Sequence, residues 1–275
     1  MAKTLQKIFN LSDRIAQAYK IESWHVSQSI DAFTGVEAYD ITISGSLNLT
    51  GPMAQGNGTS LATGLYSHAE GFKTTASGSY SHAEGQNTIA SGSFSHAEGY
   101  FTTASGAYSH AEGDNTQALG WWSHAEGYYT QASGAYSHAE GSSTQASGYA
   151  SHAEGNSTTA TGDYSHAEGV STITIGNYSH AEGNSTIASG SYQHVSGKFN
   201  TQGDDTSLFI VGNGDKSSRK DAFKVTHSSS IAIPQTQSAA PTWTGVDGEI
   251  VPATVSGTYY LYMWMNGRWR SSSFA

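Results

Sequence analysis

The chain has no cysteine. Disulfide staples and thiolate metal sites are therefore excluded, and nothing in the sequence records a redox compartment. Proline is nearly as scarce. Pro52, Pro234, Pro241 and Pro252 are the four in 275 residues, and none falls within the repeats described below. A proline there would remove a ladder hydrogen bond, so its absence suits continuous strand pairing. Charged residues are 12% of the chain, against about 25% in ordinary soluble proteins. No run approaches the ~18 apolar residues of a membrane span, and no membrane insertion is expected. No apolar core of signal-peptide length follows Met1–Lys7, so signal-directed export is not expected either.

The charge that is present is unevenly placed. Residues 1–65 hold four basic and five acidic groups, residues 66–197 one basic (Lys73) and eleven acidic, and residues 198–275 seven basic and six acidic. The acidic middle argues against nucleic acid as a partner, since wrapping it requires basic surface.

Glycine is abundant, at 32 residues, and recurs on a period. The pentapeptide Ser-His-Ala-Glu-Gly starts at Ser67, Ser81, Ser95, Ser109, Ser123, Ser137, Ser151, Ser165 and Ser179, and an altered copy occupies Gln193–Gly197. The step is 14 residues each time, without an insertion. A fixed step is what stacked coils demand, because one extra residue shifts a coil out of register. Two segments alternate within a period: Tyr80–Glu84 closed by Gly85, and Thr88–Ser91 closed by Gly92. Each is too short for a helix, and glycine supplies turns with positive φ. Two strands and two turns make one coil of a flattened solenoid, stacked by parallel pairing at roughly 4.8 Å per coil. Ten coils span about 45–50 Å.

Strand alternation assigns faces. Ser81 and Ala83 point one way, Tyr80, His82 and Glu84 the other, and Thr88 shares a face with Ala90. The small Ser, Ala, Thr, Ala set reads as a thin interior. Position 89 and its equivalents vary (Ile89, Thr103, Gln117, Gln131, Thr159, Ile173) and read as solvent-facing. The remaining face is nearly constant. Its aromatic column is Tyr66, Tyr80, Phe94, Tyr108, Trp122, Tyr136, Ala150, Tyr164, Tyr178 and Tyr192. Beside it run His68, His82, His96, His110, His124, His138, His152, His166, His180 and His194. With them run Glu70, Glu84, Glu98, Glu112, Glu126, Glu140, Glu154, Glu168 and Glu182. A solvent face has no reason to stay constant while its opposite drifts, whereas a face packed on copies of itself has one. The ladder is therefore expected to be an interface between copies of the chain. The small interior agrees, because it buries too little apolar area to hold a lone chain together.

This coil with its central pentapeptide resembles the YadA-type head of trimeric autotransporter adhesins, over about residues 58–200. The resemblance implies an all-β, left-handed parallel β-roll that assembles as a homotrimer. It also implies that the positions of His82 and Glu84, aliphatic in the family pattern, face the other chains.

Three readings compete for the repeated His-x-Glu pair. In the structural one, preferred here, each imidazole bonds a carboxylate on a neighbouring chain, so that neither polar group is left bare. Metal binding by symmetry-related histidines and acid–base catalysis are the alternatives. Ten like copies single out no coil for a metal and lack the asymmetry that separates pKa values. No metal, cofactor or catalytic residue is expected. Pairing should lower the Glu pKa values and raise those of His, so stability should peak at mildly acidic to neutral pH.

The ends differ from the middle. Residues 1–51 read as an attachment segment, with a short helix expected on Leu5, Ile8, Phe9, Ile15, Ala16 and Tyr19 and a strand on Asp40–Gly51. Part of it, Val26–Gly51, resembles the N-terminal regions of tailed-bacteriophage structural proteins. The roll proper is 52–197. Residues 198–233 form a capping element, with strands on Leu208–Gly214 and Ala222–Thr226 and with Lys216, Arg219 and Lys220 in a solvated loop. Residues 234–241 read as a linker. Residues 242–275 form a β-hairpin module, Tyr259–Met265 turning at Asn266-Gly267 into Arg268–Arg270. Its aromatics exceed what about 35 residues can bury. Either copies pack together there, or Tyr259, Tyr260, Trp264, Arg268 and Trp269 form a binding surface.

The favoured function is a non-enzymatic fibre of a bacteriophage virion, on head or tail. It would be made in the host cytoplasm, joined to capsid or tail proteins by its N-terminus, and carry a tip that touches host-surface glycan or protein. The alternatives are a bacterial trimeric surface adhesin head and a fibre with autoproteolytic or glycan-cleaving activity.

Overall fold

Small residues at a fixed 14-residue step leave the backbone free to stack on itself, and it does so for eleven coils. The computed structural model describes residues 3–4, 39–40, 51–56, 60–228, 231–232, 240–241, 245, 250–255 and 258–274. They fall into two units, 1–49 and 50–275. In the first, Lys3–Thr4 pairs in parallel with Tyr39–Asp40. The helix expected between Leu5 and Tyr19, and the strand expected beyond Asp40, lie outside the described residues. Among those described, every regular element is a strand.

Each coil carries a long strand, such as His82–Gln86, and a short one, such as Ile89–Ala90. The long strands align in one parallel sheet, His on His and Glu on Glu. The short strands align in a second sheet of ten. The expected ten coils are preceded by one more. Met53–Gly56 pairs with the next long strand, Met53 opposite His68 and Gln55 opposite Glu70. Its Met-Ala-Gln-Gly is a degenerate His-Ala-Glu-Gly, offset by 15 residues instead of 14.

The interior is the expected Ser, Ala, Thr, Ala set. Ala83 and Ala90 are fully buried, as are their equivalents down the stack. Ser81 earns its place through its hydroxyl, which donates to the Gly78 carbonyl at 2.7 Å and so closes the turn. The same bond recurs from Ser67 to Ser179. The two glycines of a coil do different work. Gly85 has φ +102, as a turn glycine should. Gly92 does not sit in that region; a Cβ on it would lie 2.0 Å from the carbonyl oxygen of Gly106 in the next coil. It is glycine because backbones touch there, a correction to its reading as a positive-φ turn.

The roll's C-terminal end is closed by side chains. In a regular coil the Ile173 amide donates to the Thr186 carbonyl, and the Ile175 and Gly176 amides to the Ala188 carbonyl. One coil later no further short strand exists to accept. Asn200 stands where Thr was, and its Oδ1 accepts from the Ile187 amide at 2.7 Å. Gln193 stands where Ser was, and its Oε1 accepts from the Ser189 and Gly190 amides. Two buried carboxamides thus replace the backbone of the absent coil. The long-strand sheet ends differently. Ser207–Asn213 adds in parallel, then Asp221–Thr226 reverses direction as its antiparallel partner.

This cap is pinned by charge. Lys224 Nζ lies 2.7 Å from Asp204 and 2.8 Å from Asp221. Burial raises the Asp204 pKa, but bonds from Lys224, Ser207 and Thr206 outweigh it and hold the carboxyl well below its usual range. Arg219, expected in a solvated loop, is tied down instead. Its Nη1 donates to the carbonyls of Ser185 and Asn200, and its guanidinium stands over Phe199.

The C-terminal module is a three-stranded antiparallel sheet of Ile250–Val255, Thr258–Met265 and Arg268–Phe274. Asn266 and Gly267 turn the hairpin with φ of 51° and 75°, as its two-residue loop requires. Pro252 lies on the edge strand, where a missing N–H is tolerated. Of the expected linker only residues 240 and 241 are described, and Pro241 is buried.

Candidate functional site

The constant face divides into two ladders. The aromatic column is not on a strand, as alternation suggested. It lies in the turn before the long strand, where Tyr80 has φ 58° and its amide donates to Leu65 of the preceding coil at 2.7 Å. All ten positions of the column share this left-handed conformation, which costs an L-residue about 1 kcal/mol or more. Ring stacking offsets part of that cost. Tyr80 and Phe94 stack at 4.9 Å, Phe94 and Tyr108 at 4.8 Å, Tyr108 and Trp122 at 5.0 Å, and such pairs contribute about 0.5–1.5 kcal/mol each. Ala150 should break the column, yet it does not. Tyr149, its neighbour, swings into the gap, 5.4 Å from Tyr136 and 5.3 Å from Tyr164. The stack therefore runs unbroken from Tyr66 to Tyr192 while its rings stay 42–65% exposed.

The second ladder is on the long strand. Imidazoles of successive coils lie parallel, 4.7–4.9 Å apart from His68 to His180. From His96 on, each pairs with the glutamate of the coil before it. His110 Nε2 lies 3.3 Å from Glu98, His138 3.2 Å from Glu126, and His180 3.1 Å from Glu168. The series ends with His194 at 3.5 Å from Glu182. The expected His–Glu pairing thus forms within one chain, between coils, where a neighbouring chain had been expected to supply the carboxylate. The first rung differs. Gln55 occupies the glutamate position and donates to Glu70, and His68 lies 3.6 Å from the glutamate of its own coil; Nε2 of His68, His82, His96 and His166 is buried without a hydrogen-bond partner.

Stacking carboxylates makes the column heterogeneous. The bond from Gln55, then one from Glu84, lowers the Glu70 pKa. Burial, together with bonds to Glu70 and Glu98, raises that of Glu84, against the expected direction. At Glu98 burial pushes upward but is outweighed by bonds from Glu84 and His110. Glu70, Glu84 and Glu98 therefore titrate together and not as independent ion pairs.

Consecutive His–Glu–His sets bring their ligand atoms within 4.8 Å of one another. Parallel rings forbid chelation by two of them. An ion in the plane of one imidazole is nearly a full coil step out of the plane of the next, whereas a nitrogen lone pair lies in its ring plane. His110, His124, His138, His152 and His180 hydrogen-bond the glutamate of the preceding coil, and about a third of each side chain is exposed. The ladder has acceptors and donors to spare along a face that its own chain leaves uncovered.

The candidates at the C-terminal module separate. Tyr260, Trp264 and Trp269 share one face of the sheet by register. Trp264 meets Trp269 across the strands at 5.3 Å. Gly245 is seated against that pair, so close that a Cβ would lie 2.8 Å from both indoles. Arg268 belongs to the opposite face, and is exposed. The side chain of Tyr259 lies outside the described residues. Arg268 therefore does not share one sheet face with Tyr260, Trp264 and Trp269.

No curated protein matches the chain. A family model described as YadA head domain repeat (2 copies) matches residues 69–95, 83–109 and 97–121. Each window covers two successive coils of the stack, with the buried alanines and paired glycines in phase. Over residues 69–121 the chain is thus similar to YadA head repeats, and those coils are part of a parallel β-solenoid of eleven.

Proposed function

We propose that the chain is a structural, non-enzymatic subunit of a homotrimeric fibre on a bacteriophage virion. The carrying observation is the double ladder. A stack of rings 42–65% exposed, nine of them held at a strained backbone angle, is retained where a partner covers it. The match to YadA head repeats supports three copies meeting on this face. The N-terminal unit would join capsid or tail, and the roll would act as a stiff spacer. The C-terminal sheet would be the tip, meeting host-surface glycan or protein. Sedimentation velocity with light scattering tests the assembly: three copies in an elongated particle are expected, and a monomer overturns the reading. Gold-labelled antibody against the roll tests the address, with decoration of purified virions expected.

The repeat match favours a second reading equally, an adhesin head on a bacterial surface. Label confined to bacterial envelopes would establish it in place of the virion fibre.

A further inference from the structure

A second corner of the roll carries a pattern that the interior and the ladders do not use. At the end of the long strands, paired residues run Phe72, Gln86, Tyr100, Asp114, Tyr128 from coil to coil. Aromatic and polar groups alternate strictly. The residue after each repeats the theme at Asn87, Phe101, Asn115 and Tyr129, in left-handed turns with φ of 54–57°. These turns are fixed by coil-to-coil bonds, such as Phe101 amide to Gln86 carbonyl at 3.0 Å. The corner is therefore rigid.

At two levels the pairs are wholly aromatic. Tyr100 meets Phe101, and Tyr128 meets Tyr129, edge to face with centroids 4.5 Å apart. All four rings are 43–53% exposed. Phe72 forms a third platform below, with the Lys73 ammonium over its ring. Asp114 and Asn115 lie between the upper two platforms, joined by a side-chain hydrogen bond. The platforms recur every second coil, which is about 9.6 Å.

We propose that this edge is a docking track for a neutral, linear polysaccharide lying along the roll. A pyranose ring has an apolar C–H face that stacks on an aromatic ring and an equatorial rim of hydroxyls that bonds amides and carboxylates. An extended chain of such rings repeats, disaccharide by disaccharide, at about the interval of the platforms. Alternate sugars would stack at Phe72, Tyr100 and Tyr128, and those between would meet Gln86 and Asp114. The polymer is neutral because the acidic groups of the roll repel a polyanion. A polyproline helix, which rises about 9.3 Å in three residues, also matches the interval. Its prolines have no N–H to offer the Asp114 carboxylate, whereas sugar hydroxyls donate. The inference uses the roll alone, so its failure would leave the trimeric fibre untouched, and the reverse.

The test is titration of the full chain with cellohexaose and chitohexaose, two neutral hexasaccharides, by calorimetry and saturation-transfer NMR. At least one is expected to bind. Tyr100→Ala should weaken it about tenfold, the worth of one lost platform. Asp114→Ala should weaken it further, and the matching disaccharide, which reaches one platform, should bind far less. Val170→Ala, in the same column beyond the alternation, should change nothing. Exposed rings are dispensable for folding, so an unchanged melting temperature would certify the variants. Four results would overturn the proposal. These are no binding of either hexasaccharide at millimolar concentration, binding indifferent to Tyr100→Ala, binding of a proline-rich peptide in place of the sugars, or loss of assembly in Tyr100→Ala. The last would make the edge a contact between subunits.

Discussion

The middle of the roll and its C-terminal end solve one problem with different chemistry. Between coils, Thr116 and Ser123 occupy the interior with small side chains, because the next coil's backbone satisfies every strand amide. At the last coil the same two positions hold Asn200 and Gln193, whose carboxamides bond the amides that no backbone reaches. A repeat needs little from its side chains while it continues and much where it stops. The contrast ranks what each region tolerates.

The largest effect is expected in the middle. Gly120→Ala places a methyl 2.0 Å from the carbonyl of Gly134. The coils must part there, and a loss of about 3 kcal/mol or more is expected, read as a collapse of the thermal transition. Gly203→Ala is the foil. Nothing lies within 4 Å of its Cβ, and only its φ of +73° is at stake, so about 1 kcal/mol is expected. Equal losses would mean that coil contact is not what selects glycine.

Next comes the end. Gln193→Ala strips partners from the Ser189 and Gly190 amides and from the Asp204 and Ser207 carbonyls. Leaving buried groups unpaired costs about 1–3 kcal/mol each before relaxation. A loss near 3 kcal/mol is expected, with hydrogen exchange quickening in Ile187–Gly190 first. Uniform exchange along the roll would show that the end is not closed by this residue.

Much of this was legible beforehand. The 14-residue step gave the coil, the alternation gave the interior, and Asn266-Gly267 gave the hairpin, because each rests on local spacing. Alternation places Tyr80 on a strand because it cannot see a left-handed turn occupied by a non-glycine residue. The carboxamide cap was hidden for another reason. Gln193 announces itself as a departure from serine, but two of its partners, Asp204 and Ser207, lie beyond the repeat and only stacking brings them near. The extra coil was visible in principle, since Met53-Ala54-Gln55-Gly56 preserves alanine and glycine at their places. The docking track was hidden by reading down one repeat when the alternation runs across five.

A smaller effect should separate cap from roll by pH. The lowered Asp204 pKa contributes stability that is present above the unfolded carboxyl value, near pH 4, and is lost as pH falls toward the folded one. Lys224 works at the other extreme. Burial lowers its pKa but the two aspartates raise it further, so its contribution is lost only as pH rises past about 10. Below pH 4 the cap should therefore loosen while the alanine interior, which does not titrate, holds. Lys224→Met should remove most of that acid sensitivity at residues 207–226. If the cap's exchange rates in Lys224→Met still depend on acid as in the parent, the lock lies elsewhere.

The smallest effect is the one that tests the comparison most finely. Thr116 is fully buried, and its hydroxyl has no hydrogen-bond partner, as is true of Thr74, Thr88, Thr102, Thr130, Thr144, Thr158 and Thr172. A buried unpaired hydroxyl is a cost, and an apolar group of the same shape removes it. Thr186, in the same column, shows the alternative, since its hydroxyl donates to the Glu182 carbonyl at 3.0 Å. Thr116→Val should therefore be neutral or stabilising by up to about 1 kcal/mol. Asn200→Val, at the same position of the last coil, should destabilise, because there the side chain replaces backbone. Opposite signs from one substitution at equivalent sites would establish that position in the stack, not residue environment alone, decides what the interior requires. If Thr116→Val also destabilises, the threonine column is hydrogen-bonded after all and the middle of the roll asks more of its side chains than its spacing implies.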